Sequence, residues 1–358
     1  MKLNKLASGL LVASSMPAGA STTLEDIIGP RGDYIPVVES FMVQDPVERT
    51  AFFQSGVLQT GDPRIQAVLD AAAVVASVPF WEPISADVEP NYSNDVYEDV
   101  AVPRAVSTGI LMARIAYLNE GFSAMSLVQA ITKQDPLAYV ASVLDNFWER
   151  QYQRRLIATA LGIYNSNIAQ DGGDMVTDAG GAFSLSAFID ATAQMGDRWL
   201  DGLGVAAMPR AVYTQMQKAN LIDYVEDTEQ KIRIPTYQGH RVVVDNGMPV
   251  ITGTPNKALV ILFAPGAIGY ASGQPDRAQE FERQAARGNG GGVDTLWSRR
   301  DVIMHPLGFS FTSTSITGNG TETRPASAGW TDLANAANWE RVMEREQVPL
   351  AFLTVDLA

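Results

Sequence analysis

The chain is 358 residues long, 46% hydrophobic and 18% charged, which suggests about two folding units with ample material for a core. Its 26 lysines and arginines stand against 40 aspartates and glutamates, and a net charge of −14 repels phosphate backbones, which argues against a dedicated nucleic-acid reader. With no cysteine and only His240 and His305, disulfides, thiolate metal sites and cysteine nucleophiles are excluded, and a multi-histidine zinc site is disfavoured.

The first twenty residues fit a secretory signal, with Lys2 and Lys5, an apolar run over 6–13 and the small trio Ala18-Gly19-Ala20. They also fit a flexible arm of small residues, and both readings stay open. Residues 21–65 are rich in Gly, Pro and Asp, lack helical periodicity, and carry apolar anchors at Phe41, Phe52 and Phe53. That pattern predicts an extended arm laid over another surface. Residues 68–78 suit a short helix or a buried strand, and Pro79, within Val78-Pro79-Phe80-Trp81, interrupts it. No run approaches the ~18–20 unbroken apolar residues of a membrane helix.

From 82 to 106 the sequence turns polar, with Glu82, Asp87, Glu89, Asp95, Glu98 and Asp99 punctuated by Pro83, Pro90 and Pro103. Residues 108–117 then read as a strand. Two extended stretches flanking an acidic segment predict a long hairpin with too few apolar residues for a core of its own. Something else must pack against it: it would be a lid in a monomeric enzyme, or a contact arm in an assembly.

Asp135 is a good helix N-cap and Pro136 suits the first helical position, where its missing N–H costs nothing. Val140, Val143, Leu144, Phe147, Trp148, Tyr152, Leu156, Ala160 and Leu161 recur close to a 3.6 period. A helix over 135–168 would span roughly 50 Å, and Asp171-Gly172-Gly173 closes it. A compact α/β region follows. Helices are predicted over 185–200 and 209–219. Strands are predicted over 205–208, 232–235, 240–245, 258–263, 297–310 and 350–355, with a turn at Tyr237-Gln238-Gly239.

In this order the elements resemble the major capsid proteins of tailed bacteriophages, which share the Johnson fold. Three strings carry the resemblance: Val78-Pro79-Phe80-Trp81 before the acidic segment; Asp135-Pro136 opening a helix that runs through Gln151-Tyr152-Gln153-Arg154-Arg155-Leu156-Ile157-Ala158; and Ile234-Pro235-Thr236-Tyr237-Gln238-Gly239-His240-Arg241-Val242-Val243-Val244-Asp245-Asn246-Gly247-Met248-Pro249. A weaker fourth is Arg300-Asp301-Val302-Ile303-Met304-His305-Pro306-Leu307-Gly308. The resemblance implies an α+β fold with an N-terminal arm (1–65) and an extended loop (66–120). It further implies a peripheral domain with a spine helix (121–171), an axial domain with return strands (172–330), and a C-terminal segment (331–358) packing on the peripheral domain.

The same resemblance implies a shell subunit that assembles into pentamers and hexamers of an icosahedral head enclosing double-stranded DNA. No catalytic residue, cofactor or metal is expected. The implied partners are other copies of the chain, a separate scaffolding protein, a portal and, where one exists, a decoration protein. DNA would lie nearby without being gripped, no membrane is involved, and the location is the virion, assembled in the host cytoplasm. Inter-subunit contacts are expected from Phe41, Phe52, Phe53 and Trp81, from Glu89, Asp95, Glu98, Asp99 and Arg104 of the loop, and from Arg150, Arg154 and Arg155 of the helix. Arg150 and Arg154 share a face and could equally pair with Asp145 and Glu149. Some relatives cross-link a loop lysine to a neighbouring asparagine, but residues 77–120 contain no lysine, so that chemistry is not implied. An encapsulin-type compartment shell and a secreted acidic hydrolase or binding protein are the alternatives.

Other motifs point nowhere specific. Gly288-Asn289-Gly290-Gly291-Gly292 lacks the Lys-Ser/Thr of a phosphate loop and reads as a flexible turn. Asp171, Asp174 and Asp178 lack the spacing of a calcium loop, and no Gly-x-Ser-x-Gly elbow is present.

Overall fold

The computed structural model describes residues 55, 57–60, 63–70, 74–82, 84, 89–132, 135–196, 204–226, 233–273, 275, 277–312, 316–318 and 327–357. The signal-like residues 1–20 and the anchors Phe41, Phe52 and Phe53 lie outside them. In chain order the elements begin β1 (Leu58–Thr60), α1 (Pro63–Asp70), β2 (Val75–Trp81), β3 (Thr108–Arg114), β4 (Ala116–Met125), α2 (Ser126–Thr132), α3 (Pro136–Gln170) and β5 (Val176–Asp178). They continue α4 (Leu185–Ala193), β6 (Val205–Met208), α5 (Arg210–Lys218), β7 (Asp223–Glu226), β8 (Arg233–Tyr237), β9 (His240–Val244), β10 (Val250–Ile251), β11 (Lys257–Phe263) and β12 (Ile268–Gly273). The last are β13 (Gln279–Gln284), β14 (Val293–Pro306), β15 (Phe309–Phe311), α6 (Trp330–Leu333), β16 (Trp339–Arg341) and β17 (Leu350–Asp356).

These elements fall into two units, one built from 118–147 and 274–300, the other from 46–117, 148–273 and 301–358. The sequence-based boundaries assigned 274–300 to the same body as 172–273, whereas the chain returns there to join 118–147. Pairing of β4 with β14 makes that return, and β13 folds back antiparallel on β14 from Gln279↔Ser298 to Gln284↔Val293. Pairing between distant segments leaves no local signature, which is why composition missed it. In this unit Asp294 accepts from Arg283 Nη1 at 3.1 Å and from Ser126 Oγ at 3.0 Å, tying hairpin to helix α2.

The larger unit is organised by an eight-stranded sheet in the order β5-β17-β11-β6-β9-β8-β7, with β10 beside β11. Strand β11 is buried along six consecutive positions, Ala258 to Phe263, because both faces of the sheet are covered. Its side chains alternate. Leu259, Ile261 and Phe263 join Leu156, Ile157, Ala160 and Ile163 of helix α3 in one core. Ala258, Val260 and Leu262 join Ala187, Phe188 and Ala191 of α4 and Val212 and Met216 of α5 in another. The predicted turn between β8 and β9 is real: Gln238 and Gly239 both take positive φ, 48° and 78°, as a tight two-residue hairpin requires.

The C-terminal segment meets the long helix and also enters the sheet. Leu350–Asp356 is a strand of the eight-stranded sheet, paired in full register with β11 and parallel to β5, and its Leu350 and Phe352 pack on helix α3, the Phe352 ring 5.5 Å from that of Tyr164. The preceding piece is hydrogen-bonded to the long helix: Ser166 Oγ donates to the Trp339 carbonyl at 3.0 Å, and Asn165 Nδ2 donates to the Ala334 carbonyl at 2.8 Å. The all-apolar run Leu350-Ala351-Phe352-Leu353 is the reason the segment enters the sheet, since it needs cover on both faces.

Helix α3 is 35 residues, about 50 Å long. Asp135 caps it, its Oδ1 accepting from Leu137 N and Ala138 N at 3.0 and 3.3 Å. At the far end Gly172 and Gly173 take positive φ, and Gly173 N donates to the Asn167 carbonyl at 3.0 Å. From Trp148 onward the helix is buried on more than the predicted stripe: Gln153, Arg155, Thr159, Ser166 and Asn167 are buried too.

Candidate assembly surface

The surface is built on the β2–β3 hairpin, paired from Val75↔Arg114 to Trp81↔Thr108. Its base is anchored. Ala113 and Ile115 pack with Ala271 and Ile303, supported by Ile65, Leu69 and Val78, and Met112 N donates to Ser310 Oγ at 2.9 Å. The Phe80 ring lies directly over Gly109, where any β-carbon would overlap it. One more rung, Glu82 N to the Ser107 carbonyl at 3.1 Å, ends the ladder, and Ser107 Oγ donates to the Glu82 carboxylate.

Beyond that rung the chain has little to hold it except itself. Asn91 Nδ2 donates to the Val102 carbonyl at 3.1 Å, Arg104 donates to the Glu89 carbonyl, and Asn94 donates to Asp99. Asp99 N donates to the Val96 carbonyl at 3.2 Å, forming the turn at the tip. Every residue from 89 to 108 is exposed. That would be ordinary for a polar loop, but this one carries Tyr92, Val96, Tyr97, Val100, Val102 and Val106, with Trp81 and Ile84 before it; Tyr97 is 95% and Trp81 72% exposed. Exposed apolar side chains recurring along a polar segment make this hairpin the candidate interaction surface.

The expected contact residues separate into three sets. Trp81, Glu89, Asp95, Glu98, Asp99 and Arg104 sit together on the hairpin and are exposed. On the helix, Arg154 is exposed and its guanidinium stacks over the Trp330 ring at 5.3 Å, while Arg150 is half-buried. Arg155 is a correction. It is 9% exposed, its Nη1 donates to the Ala328 carbonyl at 3.0 Å, and burial lowers its pKa to about 10. One residue is a 100° rotation on a helix, so Arg155 faces inward while Arg154 faces out. The group is therefore used within its own subunit.

Two features escaped sequence reading. Asp332, 3% exposed, accepts from Thr317 N, Thr317 Oγ1, Gly318 N and Gly329 N at 2.8–2.9 Å. Burial raises its pKa, but these four donors outweigh that and hold the carboxyl below its ordinary range. An acid in the first turn of a short helix was the available signal. His305 is the other: burial pushes its pKa down to about 4, against a small opposing effect of the Phe309 backbone. Nothing local in Met304-His305-Pro306 announces that.

Comparison with known proteins adds an independent line. The chain is 30% identical over 336 residues to the major capsid protein of Bacillus phage SPP1, covering 92% of this chain and 96% of that one. No protein-family model matches. Among solved structures, the Helicobacter pylori bacteriophage KHP30 capsid superposes with a TM-score of 0.53 at 8% identity, over 95% of this chain and 100% of that one. The Cyanophage Pam1 capsid gives 0.53 at 9% identity, over 96% and 100%, and the Ralstonia phage GP4 capsid 0.51 at 11%, over 81% and 94%. At such identities these structures speak to the fold alone.

Proposed function

The chain belongs to the major capsid proteins of tailed bacteriophages, and from that footing we propose that it closes the phage head as pentamers and hexamers in which each extended loop is completed by a neighbouring copy. The fold is the Johnson fold, and the protein is a structural subunit of the virion. Kinship to a phage coat protein along nearly the whole chain favours this over an encapsulin shell or a secreted hydrolase.

The observation that carries the proposal is the exposed apolar run on the loop, from Trp81 to Val106. Burying one valine against a neighbour is worth ~1.5–3 kcal/mol at most, so half a dozen such side chains per subunit supply cohesion. The carboxylates of Asp95, Glu98 and Asp99 contribute little strength as exposed ion pairs, ~0–1 kcal/mol each, and serve register. Arg150 and Arg154 are the helix groups we assign to that contact, alongside the arm anchors Phe41, Phe52 and Phe53. We further assign residues 1–65 to the arm, the hairpin within 66–120 to the extended loop, the unit containing 118–147 to the peripheral domain, and the eight-stranded sheet to the axial domain. A separate scaffolding protein, a portal and assembly in the host cytoplasm complete the reading. The net charge of −14 suits a wall past which DNA must slide.

The test is co-expression with a candidate scaffolding protein, followed by negative-stain microscopy of the native chain and of a variant with residues 90–106 replaced by a short Gly-Ser linker. Native chain giving closed particles, and variant giving folded, soluble, unassembled subunits, is the expected pair. A native chain that stays a 38.6 kDa monomer under all conditions, or a variant that assembles equally well, refutes the proposal.

A further inference from the structure

Inside the larger unit lies a small cavity of about 20 Å³ whose lining includes Arg114, Arg155, Thr159, His305 and Trp339. One water needs roughly 10–15 Å³ of such space, so the cavity has room for one and not for two. Two pairs of its polar groups satisfy each other, Arg155 Nη1 with the Ala328 carbonyl and Trp339 Nε1 with the Leu333 carbonyl, but His305 Nε2 is left over. His305 is 7% exposed, its ring stacks on Trp339 at 6.4 Å, and its Nε2 has no hydrogen-bond partner in the protein. The ring's backbone partner is Phe309, whose carbonyl takes the proton of Nδ1, so Nε2 presents a lone pair. Arg155 brings the opposite need. Its Nη1 has the Ala328 carbonyl, and among the described residues it has no carboxylate partner.

A buried acceptor without a donor and a buried guanidinium without a counter-charge, on the wall of one water-sized space, call for a group that both donates and accepts. We propose that this cavity holds one internal water as a fixed part of the fold, donating to His305 Nε2 and accepting from Arg155 or the Thr159 hydroxyl. An anion would suit the arginines but not the imidazole lone pair. The water would then join β14 to helix α3, two elements without a direct side-chain bond at this point.

The experiment is a map of the assembled particle at a resolution that shows ordered water, for the native chain and for His305→Phe. The native map should show one peak at about 2.7–3.2 Å from His305 Nε2 and at the same range from Arg155 or Thr159. That peak should vanish in the variant. Calorimetry of particles carrying Thr159→Val, His305→Phe and both should give midpoint losses that are less than additive, because the second change removes a partner from a water already lost. Where variants do not assemble, the native map decides alone. An empty cavity, a peak out of reach of Nε2, strictly additive losses, or a peak that is replaced by bromide on soaking overturns the proposal.

Discussion

Replacing Gly162 by alanine should destabilise the subunit, against the ordinary expectation for a glycine inside a helix. Helix propensity alone predicts a gain of about 1 kcal/mol. The packing predicts the reverse. A β-carbon at position 162 would overlap the Leu333 carbonyl oxygen and come within 2.5 Å of Trp339 Nε1. Those two atoms are themselves hydrogen-bonded at 2.7 Å, and the indole is 2% exposed. The methyl group therefore wedges between a buried donor and its acceptor. Overpacking costs ~1–3 kcal/mol, and separating a buried pair a further ~1–3. After the propensity gain, a net loss of about 3 kcal/mol remains, which for a chain of this size lowers the melting midpoint by roughly 5 °C. Scanning calorimetry of assembled particles reads it, with Gly181→Ala as control, since that position faces open space at a φ outside the left-handed region. A Gly162→Ala particle melting at or above the native midpoint would refute the close approach of helix α3 and the 330–339 segment.

Acid should weaken the subunit before its carboxylates titrate. Folded His305 stays neutral down to about pH 4, whereas the unfolded imidazole takes a proton below about 6.5, so the unfolded state binds more protons in between. Stability is therefore full above that window, falls as pH drops through it by about 3 kcal/mol, and levels off below. The charged groups facing the ring across the cavity are Arg114 and Arg155, both of which oppose its protonation. Asp301 acts the other way, its carboxyl raised by burial, so comparison with His305→Phe is needed: native midpoints should fall between pH 7 and 4.5 more than the variant's, and parallel curves would sink the reasoning. Asp332→Asn should cost about 2–4 kcal/mol, because an amide cannot accept from Thr317 on one side and from Gly318 and Gly329 on the other without turning its NH₂ toward a donor. An unchanged melting midpoint for that variant would show that the carboxylate does not organise the turn.

Much of the fold was legible because period and punctuation agree. Asp135-Pro136 and Gly172-Gly173 bracket helix α3 at both ends, and the predicted apolar stripe through Leu144, Trp148, Tyr152, Leu156 and Ala160 is buried. Tyr237-Gln238-Gly239 marked its turn. What failed depended on partners remote in sequence. The return of 274–300 to join 118–147 rests on pairing of β14 with β4, which any strand-forming residues could make. The place of Leu350–Asp356 inside the sheet, between β5 and β11, could have been suspected from its unbroken apolar run, but only those two strands show why it is there. Helix α3 beyond Trp148 also hides its environment: polar Gln153 and Ser166 are buried because each finds a partner in a distant segment, Asp245 and the Trp339 carbonyl.

The hairpin surface was readable for the opposite reason. An acidic stretch with Pro83, Pro90 and Pro103 cannot make a core, so the sequence itself says that the segment leaves the body. The charges misled where angle mattered, since Arg154 and Arg155 are adjacent in sequence and opposite in fate. The apolar members of the loop were passed over beside its carboxylates, yet they carry the stronger argument. A lone subunit gains nothing from Tyr97 or Val100 in water, and a loop meant only to be soluble would do better with polar residues there. Their cost falls on the free subunit and is recovered on contact with a second surface. On the proposed reading, release from solvent of side chains that the free chain cannot bury would drive assembly, and the acidic groups among them would keep the free loops from pairing with one another.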